Sequence, residues 1–193
     1  MYKMKIVTDS KKTKLKLRDY DPSLVGMKLQ PIKNHSNKKI TNLLKIINKK
    51  TENPNDKTQA ILDLSDEFRN QDGVPKHAVC QNGCAHCCKI PVSVTALEAK
   101  LIKSVINNSP KNKNSIKNNY CPFLDQGKAN CSIYKVRPLH CRNFHSLDHY
   151  KYCYQFNTPH LIFTTASSER LTDLESVLIE ASNGIIKDIR DWF

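Results

Sequence analysis

Four of the eight cysteines in this 193-residue chain fall within nine residues, CQNGCAHCC from Cys80 to Cys88, and no other feature constrains the fold as tightly. The order is Cys80-x3-Cys84-x2-Cys87-Cys88, followed by Cys121-x9-Cys131-x9-Cys141-x11-Cys153. Short C-x2-C and C-x3-C loops let two thiolates turn toward one ion, because the residues between them form a tight turn, here helped by Gly83. Adjacent Cys87 and Cys88 differ. In extended backbone neighbouring side chains point to opposite sides, so one ion takes both only if the loop curls. The pattern points to two metals, or to one metal and a spare thiol. The long spacings of the second set require tertiary structure to bring those cysteines in, so a site built from both sets would fasten distant segments together.

Disulfides, a metal ion, an iron-sulfur cluster and a redox or catalytic thiol are the candidate uses of such a run, and the compartment weighs between them. The opening MYKMKIVTDSKK lacks the apolar core of a signal peptide, and no stretch approaches the roughly 18 uninterrupted apolar residues of a membrane helix. The expected location is therefore cytoplasmic, with no membrane span. In a reducing compartment persistent disulfides are uncommon and clustered cysteines bind metal or do redox chemistry. Zinc, iron and an iron-sulfur cluster all suit thiolate ligands. The hydrophobic content of 39%, with 7% aromatic residues, is modest, which fits a domain stabilised in part by bound metal.

Charge divides the chain. The formal net charge is +13, and residues 1–58 carry 15 basic against 5 acidic side chains. The expected organisation is a basic N-terminal segment, 1–58, with one amphipathic helix, and a cysteine-cluster domain with a C-terminal helix, 59–193. A basic arm can attract nucleic acid or an acidic protein partner by charge, although it lacks the interleaved aromatic residues that stack on bases.

Periodicity gives a mainly α reading: a small helical domain around an irregular cysteine-rich centre with a short β-hairpin. Ile40, Leu43, Leu44 and Ile47 predict a helix from Ser36 to Lys50, and Ile61, Leu62, Leu64, Ser65 and Phe68 a second over Asp56 to Asn70. Thr95 and Glu98, three apart before Leu101 and Ile102, form a capping-box signature, so the cysteine loop feeds directly into a helix. Residues 107–119 read as a polar, mobile loop. CPFLDQGKANCSIY predicts a hairpin with Cys121 and Cys131 on its arms, and Pro138 a turn before Cys141. Leu171, Leu174, Leu178, Ala181, Ile185 and Ile189 predict the stripe of a C-terminal helix interruptible at Gly184, with Trp192 and Phe193 tucked into the core.

His77, His86, His140 and His145 lie near cysteines in the chain, and His86 and His140 are the better candidate ligands because they sit inside the cysteine runs. Arg137 and Arg142 flank Cys141, and together with Lys89 they can offset the charge of a multi-thiolate site.

The C-x3-C-x2-CC run, the VTALEA helix start and CPFL…CSIYKVRPLHCRNF together resemble a bacterial cysteine-cluster family described as zinc- or iron-chelating, whose members include flagellin lysine N-methylases. The resemblance spans about Cys80 to Cys153. It implies that Cys80, Cys84, Cys87, Cys88, Cys121, Cys131 and Cys141 are chelating positions, with Cys153 as an eighth. Cys80-x3-Cys84-x2-Cys87 also has the form of the radical S-adenosylmethionine pattern. The 106 residues after Cys87 read as helix, hairpin and helix rather than a β/α barrel, and His86 stands where that family usually has an aromatic residue. The leading expectation is a metal-binding protein. The alternatives are a protein-modifying enzyme related to lysine N-methylases and a basic docking module. Among occupants, the three-cysteine run with a distant fourth leans toward iron-sulfur for one site.

Overall fold

A computed structural model describes residues 14, 16–24, 41, 42, 45, 51–106, 120–155 and 157–193. The expected helix from Ser36 to Lys50 lies outside these residues apart from Thr41, Asn42 and Lys45, which are helical, and the expected loop 107–119 lies outside them entirely.

Helix α1 runs from Pro54 to Gln71 and begins where Asn53 accepts a hydrogen bond from the Asn55 N–H at 2.9 Å, with proline at the first helical position. Both features supply what a helix start lacks, since its first N–H groups have no partner within the helix. Its buried positions, Thr58, Ile61, Leu62, Ser65 and Phe68, recur every three or four residues, the period of one helical face. Gly73 ends this stretch at φ +76°, a conformation that disfavours a side chain, and the short helix α2, Val74–His77, delivers the chain to Cys80.

Beyond the cysteine run, strand β1, Ser93–Thr95, leads into helix α3, Ala96–Val105. The expected capping box is formed: Glu98 Oε2 accepts from the Thr95 N–H at 2.8 Å, and Thr95 Oγ1 from the Glu98 N–H at 3.4 Å. The expected hairpin consists of β2, Leu124–Asp125, and β3, Asn130–Cys131, with Leu124 opposite Cys131, but only Cys131 is on an arm, since Cys121 precedes β2. Pro138 caps helix α4, Leu139–Asn143, which carries Cys141. Strands β4, His145–Ser146, and β5, Ile162–Phe163, form a second antiparallel pair.

Helix α5, Glu169–Ala181, buries Leu171, Leu174 and Leu178. Helix α1 packs against α3, α4 and α5, and their apolar faces form one core together with Val94, Phe123, Leu139 and Phe163. The architecture is mainly helical, as expected, and its short strands occur in antiparallel pairs.

The C-terminal stripe departs from expectation. Helix α5 stops at Ala181 because Asn183 at φ +52° and Gly184 at φ +71° turn the chain, and the Gly184 N–H returns to the Ile179 carbonyl at 2.9 Å. Ala181 is exposed and Ile185 is 47% exposed. The chain continues as strand β6, Ile186–Asp188, which pairs antiparallel with β1, and then as helix α6, Ile189–Trp192. Ile189 is buried, the Trp192 indole N–H donates to the Val94 carbonyl at 2.9 Å, and Phe193 meets Phe123 edge to face. No helix among the described residues is long and apolar enough to cross a membrane.

Candidate metal centre

Five stretches of chain bring the cysteines together, and main-chain bonds account for most of the placement. The Val79 N–H donates to the Ser146 carbonyl at 3.0 Å, and the Ser146 N–H donates to Cys80 Sγ at 3.3 Å, so β4 lies beside the start of the run. Gly83, at φ +88°, makes the turn that returns the Cys84 N–H to the Gln81 carbonyl. The chain then curls into a 3-10 turn, His86–Lys89, in which the N–H groups of Cys88 and Ile90 donate to the carbonyls of Ala85 and Cys87. Within this turn the side chains of Cys87 and Cys88 stay in hydrogen-bond contact. Cys88 packs with Tyr120 against Ala85, Leu124 and Ala129.

The other cysteines arrive on both sides of this turn. The Cys88 carbonyl accepts from the Cys121 N–H at 2.8 Å and from an Arg190 guanidinium N–H at 3.3 Å, which ties the β2–β3 hairpin to it. Cys153 lies in a second 3-10 turn, Tyr150–Tyr154, that packs on the first with the His86 and Tyr150 rings stacked at 6.1 Å. None of the eight cysteines is in a disulfide.

Burial and mutual repulsion raise the thiol pKa values and show which sulfurs are neighbours. Burial pushes Cys80 up strongly, and charges on Cys84, Cys87 and Cys153 add to it. Cys84 rises to about 11 through burial and then Cys87, and Cys153 to about 12 through burial and then Cys84 and Cys87. On the other side, Cys141 is pushed well up by burial and by Cys87, Cys121 and Cys131. Burial takes Cys121 to about 11 and raises Cys131 as well. Cys87 is raised by its hydrogen bond with Cys88 and then by burial. The thiols thus form two neighbourhoods, Cys80, Cys84 and Cys153 on one side and Cys121, Cys131 and Cys141 on the other, which meet at Cys87.

The charged residues around them divide differently from expectation. Arg137 lowers the pKa values of Cys87, Cys131 and Cys141, so its charge faces the second group, and its Nε is buried without a hydrogen-bond partner. Arg142 turns the other way. Its guanidinium holds Asp66 of α1 and the carbonyls of Lys135 and Arg137, anchoring α4 to the helical core. Lys89 lies over the Tyr120 ring at 4.7 Å. Both ring nitrogens of His140 are engaged away from the sulfurs, with Glu175 at 2.9 Å and Thr165 at 3.5 Å. His86 is stacked on Tyr150, and burial lowers its pKa. His145 contacts the Arg142 carbonyl at 2.9 Å through Nε2, and burial lowers its pKa to about 4.

Two carboxylates escaped the sequence reading as organisers of this region. Glu98 closes the capping box and also accepts from the Leu139 N–H at 2.8 Å, fixing α4 to the start of α3. Asp148 is fully buried and accepts from the N–H groups of His149 at 2.7 Å and Leu161 at 2.6 Å, and from the Ser146 hydroxyl at 3.0 Å. His160 Nδ1 lies 3.3 Å from the same carboxylate. Burial alone would raise the Asp148 pKa, but these bonds outweigh it and hold the group below its ordinary value. The capping box pointed to Glu98, whereas an aspartate in SLDHY carries no comparable signal.

As the side chains stand, no three or more His, Cys, Asp or Glu among the described residues are placed to hold a metal ion. The chemistry of the donor set nevertheless fits one. Packed, neutral thiols repel one another when ionised, and a cation among them would offset both that repulsion and the cost of burial. The unpartnered Arg137 Nε is a donor suited to a thiolate acceptor. Residues 79–160, which include all eight cysteines, match the CxxCxxCC family model, described as "Putative zinc- or iron-chelating domain". No curated protein and no solved structure matches the chain.

Proposed function

We propose that residues 79–160 bind zinc or iron through their clustered cysteine thiolates, and that the bound metal cross-links the cysteine run, the hairpin, α4 and the Tyr150–Tyr154 turn. The observation that carries this reading is the meeting of two thiol neighbourhoods at Cys87 in a stretch that matches a metal-chelating family. A bare ion is the simpler occupant, because thiolates alone complete its tetrahedral shell. Four thiolates around a divalent ion carry net negative charge, and Arg137 supplies a cation beside the second group. Metal binding is then coupled to folding, since the strands in this stretch are only two or three residues long.

The test is elemental analysis and acid-labile sulfide determination on the full chain purified without oxygen. Stoichiometric zinc or iron without sulfide is the expected result. Iron with equivalent sulfide would replace the bare ions by a cluster, and protein that binds no metal would overturn the proposal.

A further inference from the structure

We infer that residues 16–20 form a latch on the cysteine centre: they tie the segment that enters with Cys80 to the turn that carries Cys153, and their release lets those two carriers part and metal exchange. The inference rests on the reading that the cysteines hold a metal ion. It gives a role to a part of the chain outside the matched stretch, residues 79–160.

The latch grips at both ends. Lys16 Nζ donates to the Pro75 carbonyl at 2.7 Å and to the Ala78 carbonyl at 3.1 Å, at the end of α2 and two residues before Cys80. Carbonyls that end a helix lack partners within it, and a lysine ammonium suits them. Two residues further on, the Arg18 N–H donates to the Asp148 carbonyl at 3.2 Å. Asp19 then accepts from Lys151 Nζ at 2.7 Å and from the Tyr152 hydroxyl at 3.3 Å, and the same hydroxyl accepts from the Tyr20 N–H at 3.2 Å. Lys151 and Tyr152 immediately precede Cys153. Tyr20 and Leu24 pack against the core, which anchors the downstream end of the segment.

The two carriers also meet at the cysteines. The Ser146 N–H donates to Cys80 Sγ at 3.3 Å, and the Tyr150–Tyr154 turn packs on the His86–Lys89 turn with the His86 and Tyr150 rings stacked. An ion held by thiolates from both carriers leaves only when some of those thiolates separate, and bonds from one short segment to each carrier oppose that separation. Their strength suits release. The Asp19 side chain is 84% exposed, so its pair with Lys151 is screened by water and salt. A segment held by a few exposed bonds opens locally while the helical core stays folded.

The experiment follows transfer of zinc from the reduced, zinc-loaded full chain to an excess of a chromogenic chelator. Asp19→Ala combined with Lys16→Met removes the charged contacts at both ends and should speed transfer about tenfold, with zinc per chain unchanged. Tyr152→Phe, which keeps the ring and loses only the hydroxyl, should speed it less. Glu67→Ala makes the same charge change as Asp19→Ala on the exposed face of α1 and should leave the rate alone. Hydrogen exchange supplies a readout that does not depend on the chelator: in the zinc-loaded double variant the Tyr152 and Gln155 amides, which are bonded within the turn, should exchange faster, while those of α1 do not. An unchanged rate in the double variant, or an equal rise in Glu67→Ala, would overturn the latch and leave metal binding intact. A double variant that holds less zinc would also overturn it, because the segment would then build the site rather than close it. A wild-type chain that takes up no zinc would instead overturn the metal-binding reading, and the latch with it.

Discussion

Helix α5 and the Tyr150–Tyr154 turn both bury side chains, but by different chemistry. The helix places Leu171, Leu174 and Leu178 at 0–1% exposure in the shared core, held by a continuous helical backbone and by apolar neighbours from α1 and α3. The turn buries Cys153, a thiol beside other thiols, and is held by a few main-chain bonds and the buried Asp148 nearby. Leucine burial is favourable in itself, at roughly 25 cal/mol per Å² of apolar area. Thiol burial among other thiols becomes strongly favourable once a cation neutralises them. The helical scaffold is therefore expected to hold without metal, and the cysteine stretch to depend on it.

Metal removal should break this comparison open with the largest effect. After chelation in reducing, oxygen-free buffer, amides of the cysteine run, the β2–β3 hairpin and the Tyr150–Tyr154 turn should lose hydrogen-exchange protection while α1, α3 and α5 keep theirs. Structural thiolate sites can contribute on the order of 10 kcal/mol to the segments they order. Equal loss in both regions would show one cooperative unit, and no loss would show that the cysteine stretch is ordered by its own packing.

The same contrast explains what could be read from residue order. The scaffold was legible because its signals are local. A 3.6-residue period marked Ile61, Leu62, Ser65 and Phe68, and the Thr95–Glu98 capping box lies within a single turn. The cysteine run was legible as a set of donors. Its internal arrangement was not, because the curl at His86–Lys89 and the bond from the Cys121 N–H to the Cys88 carbonyl depend on contacts made across the fold. Arg142 shows the same limit: adjacent to Cys141 in the chain, it is turned toward Asp66 by the packing of α4 on α1.

Asp148→Ala should have the next largest effect and sharpen the boundary between the two regions. The carboxylate joins β4, β5 and the approach to Cys153, and its loss leaves the buried Leu161 N–H, the part-buried His149 N–H and the Ser146 hydroxyl without this acceptor. Unpaired buried groups cost about 1–3 kcal/mol each, so a loss of about 3 kcal/mol in denaturant unfolding is expected, together with lower metal content. Asp148→Asn should recover part of it. The sign of the pH dependence follows from the lowered pKa: the contribution is present above pH 3.8, the ordinary value, and is lost on acidification through the folded-state pKa. Metal content unchanged in the alanine variant would mean that this anchor serves the scaffold alone.

The smallest expected effect lies where a local reading and the fold disagree. Ile185 falls on the apolar stripe that begins at Leu171, and a continuous helix would bury it. Asn183 and Gly184 instead turn the chain, so Ile185 is 47% exposed at the entry to β6, while Ile189 re-enters the core at 1% exposure. The signal was present in the Asn-Gly pair, which favours positive φ and marks a turn, but it competed with a six-position stripe. Ile185→Ser removes a side chain that is half in water and leaves its backbone bond to Ser182 in place. Its stability change should stay within about 0.5 kcal/mol, as for surface substitutions in general, with or without metal. A loss of several kcal/mol in thermal or denaturant unfolding would mean that α5 continues through residue 185, and that the pairing of β6 with β1 gives way to a single long helix.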